Sequence, residues 1–480
     1  MKKNLTILLI IGLMVFFNAC RKSESGIVPQ QGKDSSFVYP KKQMRAVWMA
    51  TVYGLDWPDG QLNAAAQKQK YIDYLNLFQQ LNINTVFVQV KGMGDAFYNS
   101  PYEPWSAAIT GTRGTDPGYD VLKFMIDEAH ARNIEFHAWL NPYRIATRAS
   151  SATAYPVLHP SVKPEWVVSH EKIQIYNPAV PEVRQRLADI VKDIITKYNV
   201  DGIHFDDYFY PDPSAAGTMV ADKPDYDKYG ADIKSVEEFR RDNVDKAIKG
   251  VYDAIVATKP EIVFSVSPTP GENYNLNTLY ADVQKWAREG WVDVLIPQLY
   301  QQIGAANNDY KERLQWWHQF RYQAMVMAGH ALYRFGDGTS PTAFQSTVEL
   351  EKQLALTEKY KSVLGNVLYS AKYLTLNKIG ITDKLAQLWS TPSVIPFLGR
   401  AVAPAPQEAT NIRVEGNLLK WTTSGNLRSV VYYFADSTQK GKVLAVTSAQ
   451  EWPAMNPGYY SVSTLNADNA ESKPSKAISR

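Results

Sequence analysis

The stretch VDGIHFDDYFYP, residues 200–211, begins as a short apolar run and ends in two adjacent carboxylates, Asp206 and Asp207, set among aromatics. Two carboxyls held close together do not both ionise cheaply, so one keeps its proton near neutral pH. Glycoside hydrolysis needs such a pair: a proton donor for the leaving oxygen, and a group that traps or stabilises the positive charge growing at the sugar carbon. The alternative for the same two residues is a structural loop cap.

Other residues that suit sugar binding follow or lie within strand-like runs. Asn141, Tyr143 and Arg144 come after EFHAWL, which itself contains His137. Ser267 closes VFSVSP, Gln298 and Tyr300 close VLIPQLY, and Arg45 and Gln89 lie within the first two runs. His204 and Tyr208 flank the acid pair. Amides, hydroxyls and aromatic faces are what a saccharide site uses. Trp48, Trp57, Trp105, Trp316 and Trp317 are candidates for stacking on sugar rings, with packing as their other reading. If the pair works conventionally, with Asp206 or Asp207 as nucleophile, a distant acid is needed, and Asp282, Asp293 and Glu103 are the candidates.

Other chemistries lack their residues. The seven histidines never pair at i,i+4, and Cys20 is the only cysteine, which excludes disulfides and thiolate metal sites. KGMGDAF is not a dinucleotide fingerprint and no phosphate-binding GxxxxGK[ST] occurs. No metal and no cofactor are expected.

The elements that must hold these groups alternate. Short apolar runs at 44–52, 84–90, 135–140, 201–205, 263–268, 294–300, 324–329 and 367–373 read as strands buried on both faces. Amphipathic stretches between them read as helices; in one, Val183, Leu187, Ile190, Val191, Ile194 and Ile195 form a single stripe behind Pro181. Eight such units predict an α/β fold, a (β/α)8 TIM barrel over 42–391, with an open doubly wound sheet as the other arrangement. A barrel carries its chemistry where strands exit, and Asp206 and Asp207 stand at the exit of strand four. Alternation puts His204, Asp206 and Tyr208 on one face and Asp207 on the other, and strand-end twist lets both acids reach the mouth. Residues 392–407 are proline-rich and aperiodic and read as a linker. Residues 408–480 carry short strand signals of a small all-β sandwich. There Trp421, Tyr432, Tyr433 and YSVSTLNADNAES resemble a fibronectin type III module.

Residues 1–20 have the charged start and apolar run of a secretory signal. FNAC resembles the lipobox of bacterial lipoproteins, which implies cleavage before Cys20 and its lipidation; 21–41 then read as a flexible tether. The protein is expected to be exported and lipid-anchored to the cell envelope, on the periplasmic or surface face of an outer membrane. Hydrophobic residues make up 45% and charged residues 21%, and the formal charge is +3 with no basic block, which argues against nucleic acid as a partner. A monomer is expected.

MRAVWMATVYGLDWP, NTVFVQVKGMGDAFYNSPYEPWS, PGYDVLKFMIDEAHARNIEFHAWLNPYR, VDGIHFDDYFYP and LYADVQKWAREGWVDVLIPQLY together resemble the glycosyl-hydrolase-like family 10 lipoproteins, formerly domain of unknown function 187. The resemblance covers roughly residues 42–390. It implies a TIM-barrel glycosidase of bacterial envelopes whose substrate is a cell-wall glycan, including peptidoglycan strands stripped of stem peptides. DGIHFDD is also similar to the DGxDxDxE motif of chitinases, but His204 stands at the first internal aspartate and Tyr208 at the acid. The adjacent pair better resembles O-GlcNAcases. That likeness implies that one aspartate orients the substrate's 2-acetamido group as nucleophile while the other protonates the leaving group.

Overall fold

The computed structural model describes residues 37–150, 152–319, 322–400 and 404–480. The expected signal segment with Cys20, and all but the last five residues of the expected tether, lie outside them.

Eight parallel strands close a barrel: β1 Met44–Met49, β2 Thr85–Lys91, β3 Glu135–Leu140, β4 Gly202–Phe205, β5 Val263–Val266, β6 Val294–Leu295, β7 Met325–Ala331 and β8 Val363–Tyr369. β8 pairs back onto β1, with Met44 opposite Gly365. The outer ring holds α1 Ala64–Gln80, α2 Val121–His130, α3 Pro181–Lys197, α4 Val236–Thr258, α5 Val283–Glu289, α6 Tyr310–Gln319, α7 Val348–Lys359 and α8 Ile381–Leu388.

The strands read as continuous apolar runs because each separates two cores. Trp48, Phe87, Trp139, Met327 and Val367 fill the barrel's interior. Val47, Val86, Phe136 and Ile203 face outward, in the same core as Leu75, Val191 and Ile248 of the helices. Local signals start the helices: Asn63, Asp120, Ser235 and Asp282 each accept from backbone N–H groups of the first turn, and α3 opens on Pro181. Strand six is shorter than the run 294–300 predicts. Pro297 has no N–H to give a ladder, and only Val294 and Leu295 pair as strand. Between β3 and α3 the chain makes an excursion absent from the sequence reading, a three-stranded sheet of Arg144–Thr147, Ile173–Tyr176 and Val167–His170.

The floor of the barrel is closed by the first part of the stretch read as a linker. Ile395 and Leu398 join the interior core, and Gln43 N donates to Val394 O at 2.9 Å. Arg400 donates to Ile262 O at 2.7 Å and pairs with Asp293. Apolar side chains at 394, 395 and 398 are what make this segment part of the fold rather than a free spacer.

Two small antiparallel sheets follow, one of Thr410–Glu415, Leu418–Thr422 and Glu451–Pro453, the other of Lys442–Thr447, Arg428–Phe434, Tyr459–Leu465 and Ile478–Ser479. Alternation along 428–434 sends Val431 and Tyr433 into the core with Leu419 and Trp421, and Val430, Tyr432 and Phe434 to the opposite face. That opposite face is covered by Phe37, Tyr39 and Val394. Val38 bridges in parallel to Lys440, and Gly441 N donates to Val38 O at 2.8 Å. Among the described residues no helix is long and apolar enough to cross a membrane.

Candidate active site

Along β4 and its exit, Gly202, His204 and Asp206 face the barrel axis in order from floor to mouth. At Gly202 an added Cβ would stand 2.2 Å from His137 Nδ1, so only glycine leaves room for that ring. One layer up, Trp48 Nε1 donates to His204 Nε2 at 3.0 Å. An indole N–H only donates, so His204 carries its proton on Nδ1 and gives it to Ser265 Oγ at 2.8 Å. Burial, and then His137, push the His204 pKa well below its ordinary value, so it is a neutral base of the pocket.

Above it, Asp206 is buried and collects N–H groups. Trp139 Nε1 donates at 3.1 Å, Asn141 Nδ2 at 3.1 and 3.3 Å to the two oxygens, and Tyr208 N at 3.3 Å. Asn141 is itself oriented: its Oδ1 accepts from Arg144 N at 2.8 Å and Tyr143 N at 3.3 Å. Burial raises the Asp206 pKa, and the Arg144 charge followed by these donors acts against it. Asp207 has the opposite balance. Burial first and the Asp206 charge second push its pKa up to about 7, with the Gln298 amide a smaller counterweight. One carboxyl is therefore surrounded by donors and a cation, its neighbour by little except the other's charge. Both carboxyls are thereby held above the ordinary aspartate range, with the donors and the cation favouring the charged form at Asp206 and the like charge opposing it at Asp207.

The rim of the mouth is aromatic and polar. Arg144 lies over the Tyr208 ring, 5.0 Å from its centroid, and Tyr208 is 46% exposed. Gln298 Nε2 donates to Ser267 O at 3.0 Å, which ties the exits of β5 and β6 together beside Asp207. Tyr300 stacks on Tyr369 at 6.0 Å, and Tyr333 meets both rings edge-on. Asp207 is among the charges that raise the Tyr300 pKa, so this phenol stands within its field. Tyr333 and Tyr369, with Trp139, are site residues that the sequence reading leaves out.

Asp206, Asp207, Asn141, Arg144, Tyr208, Ser267, Gln298 and Tyr300 thus gather at one mouth. Others named from the sequence do not. Arg45 lies at the floor end of β1, donating to Thr391 O at 2.6 Å and stacking on Trp389. His137 is buried below the mouth against Phe87, its Nε2 3.4 Å from Glu135. Tyr143 is fully buried in the core between barrel and helices, because the chain turns outward into the excursion after Asn141. His204 is buried with both ring nitrogens bonded, so it supports the pocket without touching its opening. Gln89 spends its carbonyl on Thr51 N and Val52 N and holds the loop after β1. Trp48, Trp57, Trp105 and Trp317 are buried, and Trp316 is partly so. The distant acids are occupied too: Asp293 pairs with Arg400 at the floor, Asp282 caps α5, and Glu103 accepts from Tyr176 at 2.8 Å beside Lys91.

A closed parallel barrel with paired carboxyls at its mouth is an architecture of glycoside hydrolases. The chain belongs to the glycosyl hydrolase-like 10 family, which it matches over residues 43–340. Among its relatives, glycosyl hydrolase YngK of Bacillus subtilis is 36% identical over 404 residues, covering 79% of each chain. Glycosyl hydrolase DigH of Escherichia coli K12 is 32% identical over 410 residues, covering 76% of this chain and 92% of its own. Among solved structures, the PgaB (BpsB) glycoside hydrolase domain of Bordetella bronchiseptica aligns with a TM-score of 0.47 at 13% identity, over 72% of this chain and 98% of that one.

Proposed function

We propose that this protein is an envelope-anchored glycoside hydrolase that cleaves a cell-wall glycan built from 2-acetamido sugars, such as peptidoglycan strands without stem peptides. The observation that carries the reading is the unequal pair at the exit of β4. Asp207, with a pKa of about 7, is the proton donor to the leaving oxygen. Asp206 stays ionised and accepts the acetamido N–H, aiming the acetamido oxygen at the anomeric carbon. The C–O bond to the leaving sugar breaks as that oxygen attacks and Asp207 gives its proton. Water then opens the resulting oxazoline-type ring, returning its proton to Asp207. The occupied positions of Asp293, Asp282 and Glu103 weigh against a conventional pair with a distant acid.

The test is a soluble form incubated with a glycan panel, including peptidoglycan strands with and without peptides, and mass analysis of the fragments. Release of shorter N-acetylated fragments by the wild type, and none by Asp207→Asn, is the expected result. Binding without fragments would make the protein a carbohydrate-binding lipoprotein instead. The anchor rests on the sequence around Cys20, and Cys20→Ala is expected to leave a folded protein that no longer partitions with membranes.

A further inference from the structure

Beside the acid pair, the exits of β1, β2 and β3 enclose a groove of about 480 Å³, within the range of roughly 300–1,000 Å³ typical of small-molecule sites. It adjoins the mouth at Gly92. That residue lines the groove, and its carbonyl takes Arg144 Nε at 3.0 Å, whose guanidinium lies over Tyr208 and acts on Asp206. The walls are mainly apolar, with Val52, Leu62, Met93 and Ile145 among them. Exposed apolar groups gather at its edge: Tyr53 is 73% and Leu62 57% exposed. A single exposed apolar side chain needs no reason, but a group of them around a concavity marks a binding surface. Tyr53 reaches the excursion across the groove, its hydroxyl 2.6 Å from Thr147 Oγ1, which holds the ring in place. A charged pair completes the lining, with Arg113 Nη1 3.5 Å from Asp95 Oδ2 and both side chains at least four-fifths covered. Arg113 Nε is buried and has no partner among the described residues.

We infer that this groove is a second sugar position, taking an N-acetylated hexosamine ring of the same chain whose glycosidic bond reaches Asp206 and Asp207. The inference rests on the amino-sugar reading of the active site. A pyranose ring has C–H faces that pack on an aromatic ring and hydroxyls at its edge, and an acetamido group adds a methyl. Tyr53 offers the face, the apolar walls take the methyl, and Arg113 with Asp95 offers a donor and an acceptor to neighbouring hydroxyls. A purely apolar ligand would cover this charged pair without satisfying it, and an anion would meet the Asp95 carboxylate.

Binding to the Asp207→Asn protein, which retains the bound chain uncleaved, tests this with N-acetylglucosamine oligosaccharides of increasing length in a calorimeter. Affinity is expected to rise with length until the groove is filled. Tyr53→Ala added to that background removes the rise and weakens the longest chains by roughly five- to tenfold, the scale of a lost aromatic contact. Tyr53→Phe, which keeps the ring and loses the Thr147 contact, retains most of the rise. Arg113→Gln weakens the same long chains. Equal dissociation constants for long chains in Tyr53→Ala and its parent would overturn the assignment. If the wild type cleaves the glycan but binding ignores length, the groove assignment alone falls. If it neither binds nor cleaves any N-acetylated glycan, the functional reading falls and this one with it.

Discussion

Three N–H donors and the charge of Arg144 bear on Asp206, while Asp207 has one amide and a charged neighbour. The two carboxyls should therefore limit activity from opposite sides. kcat/KM is expected to rise as the ionised form of Asp206 is gained and to fall above about pH 7 as Asp207 loses its proton, with apparent values that belong to the pair. Asp206→Asn and Asp207→Asn should each lose at least about 10² in rate, the lower end of general acid–base help; near wild-type turnover in both would leave the pair structural. Asp207 also affects stability. Folded, it holds its proton up to about pH 7, whereas an unfolded aspartate releases it near ~4. Wild-type stability therefore declines as pH rises through that window and is level above it. Asp207→Asn has no such proton to lose. Its stability should match the wild type near pH 4 and exceed it at pH 8 by on the order of 1–4 kcal/mol, seen as a higher melting temperature. A stability profile of the variant that runs parallel to the wild type from pH 4 to 8 would contradict the partly buried, charge-crowded setting of Asp207.

The barrel strands show how far a sequence pattern reaches. Short apolar runs alternating with amphipathic stretches are enough to place the eight strands and the exit of β4, because strands buried on both faces read that way; closure into a barrel rather than an open sheet comes from β8 pairing with β1. Alternation also gives the face: His137 and Trp139 point inward together, and the same rule applied one residue pair further would have named Trp139 as a partner of Asp206. What alternation does not give is height along the axis. Arg45 is the second residue of β1 and His137 the third of β3, so both lie toward the floor, whereas Asn141 lies just past the end of β3 and reaches the mouth. Tyr333 and Tyr369 of the rim were missed because they come from the ends of β7 and β8, far from Tyr300 in sequence, and meet it only when the barrel closes. The packing of His137 against Gly202 belongs to this scale and can be measured. Gly202→Ala should cost about 1–3 kcal/mol or more by overpacking. In a His137→Ala background most of that cost should vanish, since the two sites share one space. Additive effects in the double variant would show that the ring moves aside freely.

At the scale of the whole molecule, the C-terminal sheets and the barrel share a boundary that the proline-rich composition of 392–407 does not reveal. Prolines mark where helix and strand stop; they say nothing about whether Ile395 and Leu398 are buried, and both are. A chain ending at Thr391 loses these two plugs, at roughly 1.5–3 kcal/mol each, together with Arg400, against a total stability of only ~5–15 kcal/mol. It should show no cooperative unfolding, whereas a chain ending at Arg400 should fold with a lowered melting temperature. Identical denaturation curves for the two would mean that the floor is not closed by this segment. The seating of Phe37 and Tyr39 on the C-terminal sheet has a mechanical consequence. The polypeptide enters β1 from the floor, and the cleft opens at the other end of the barrel. Tension along that chain is delivered first to the short bridge between Val38 and Lys440 and the aromatic contacts beside it. Those contacts would peel away before any barrel strand is strained, a mechanical fuse that spares the mouth and its acid pair.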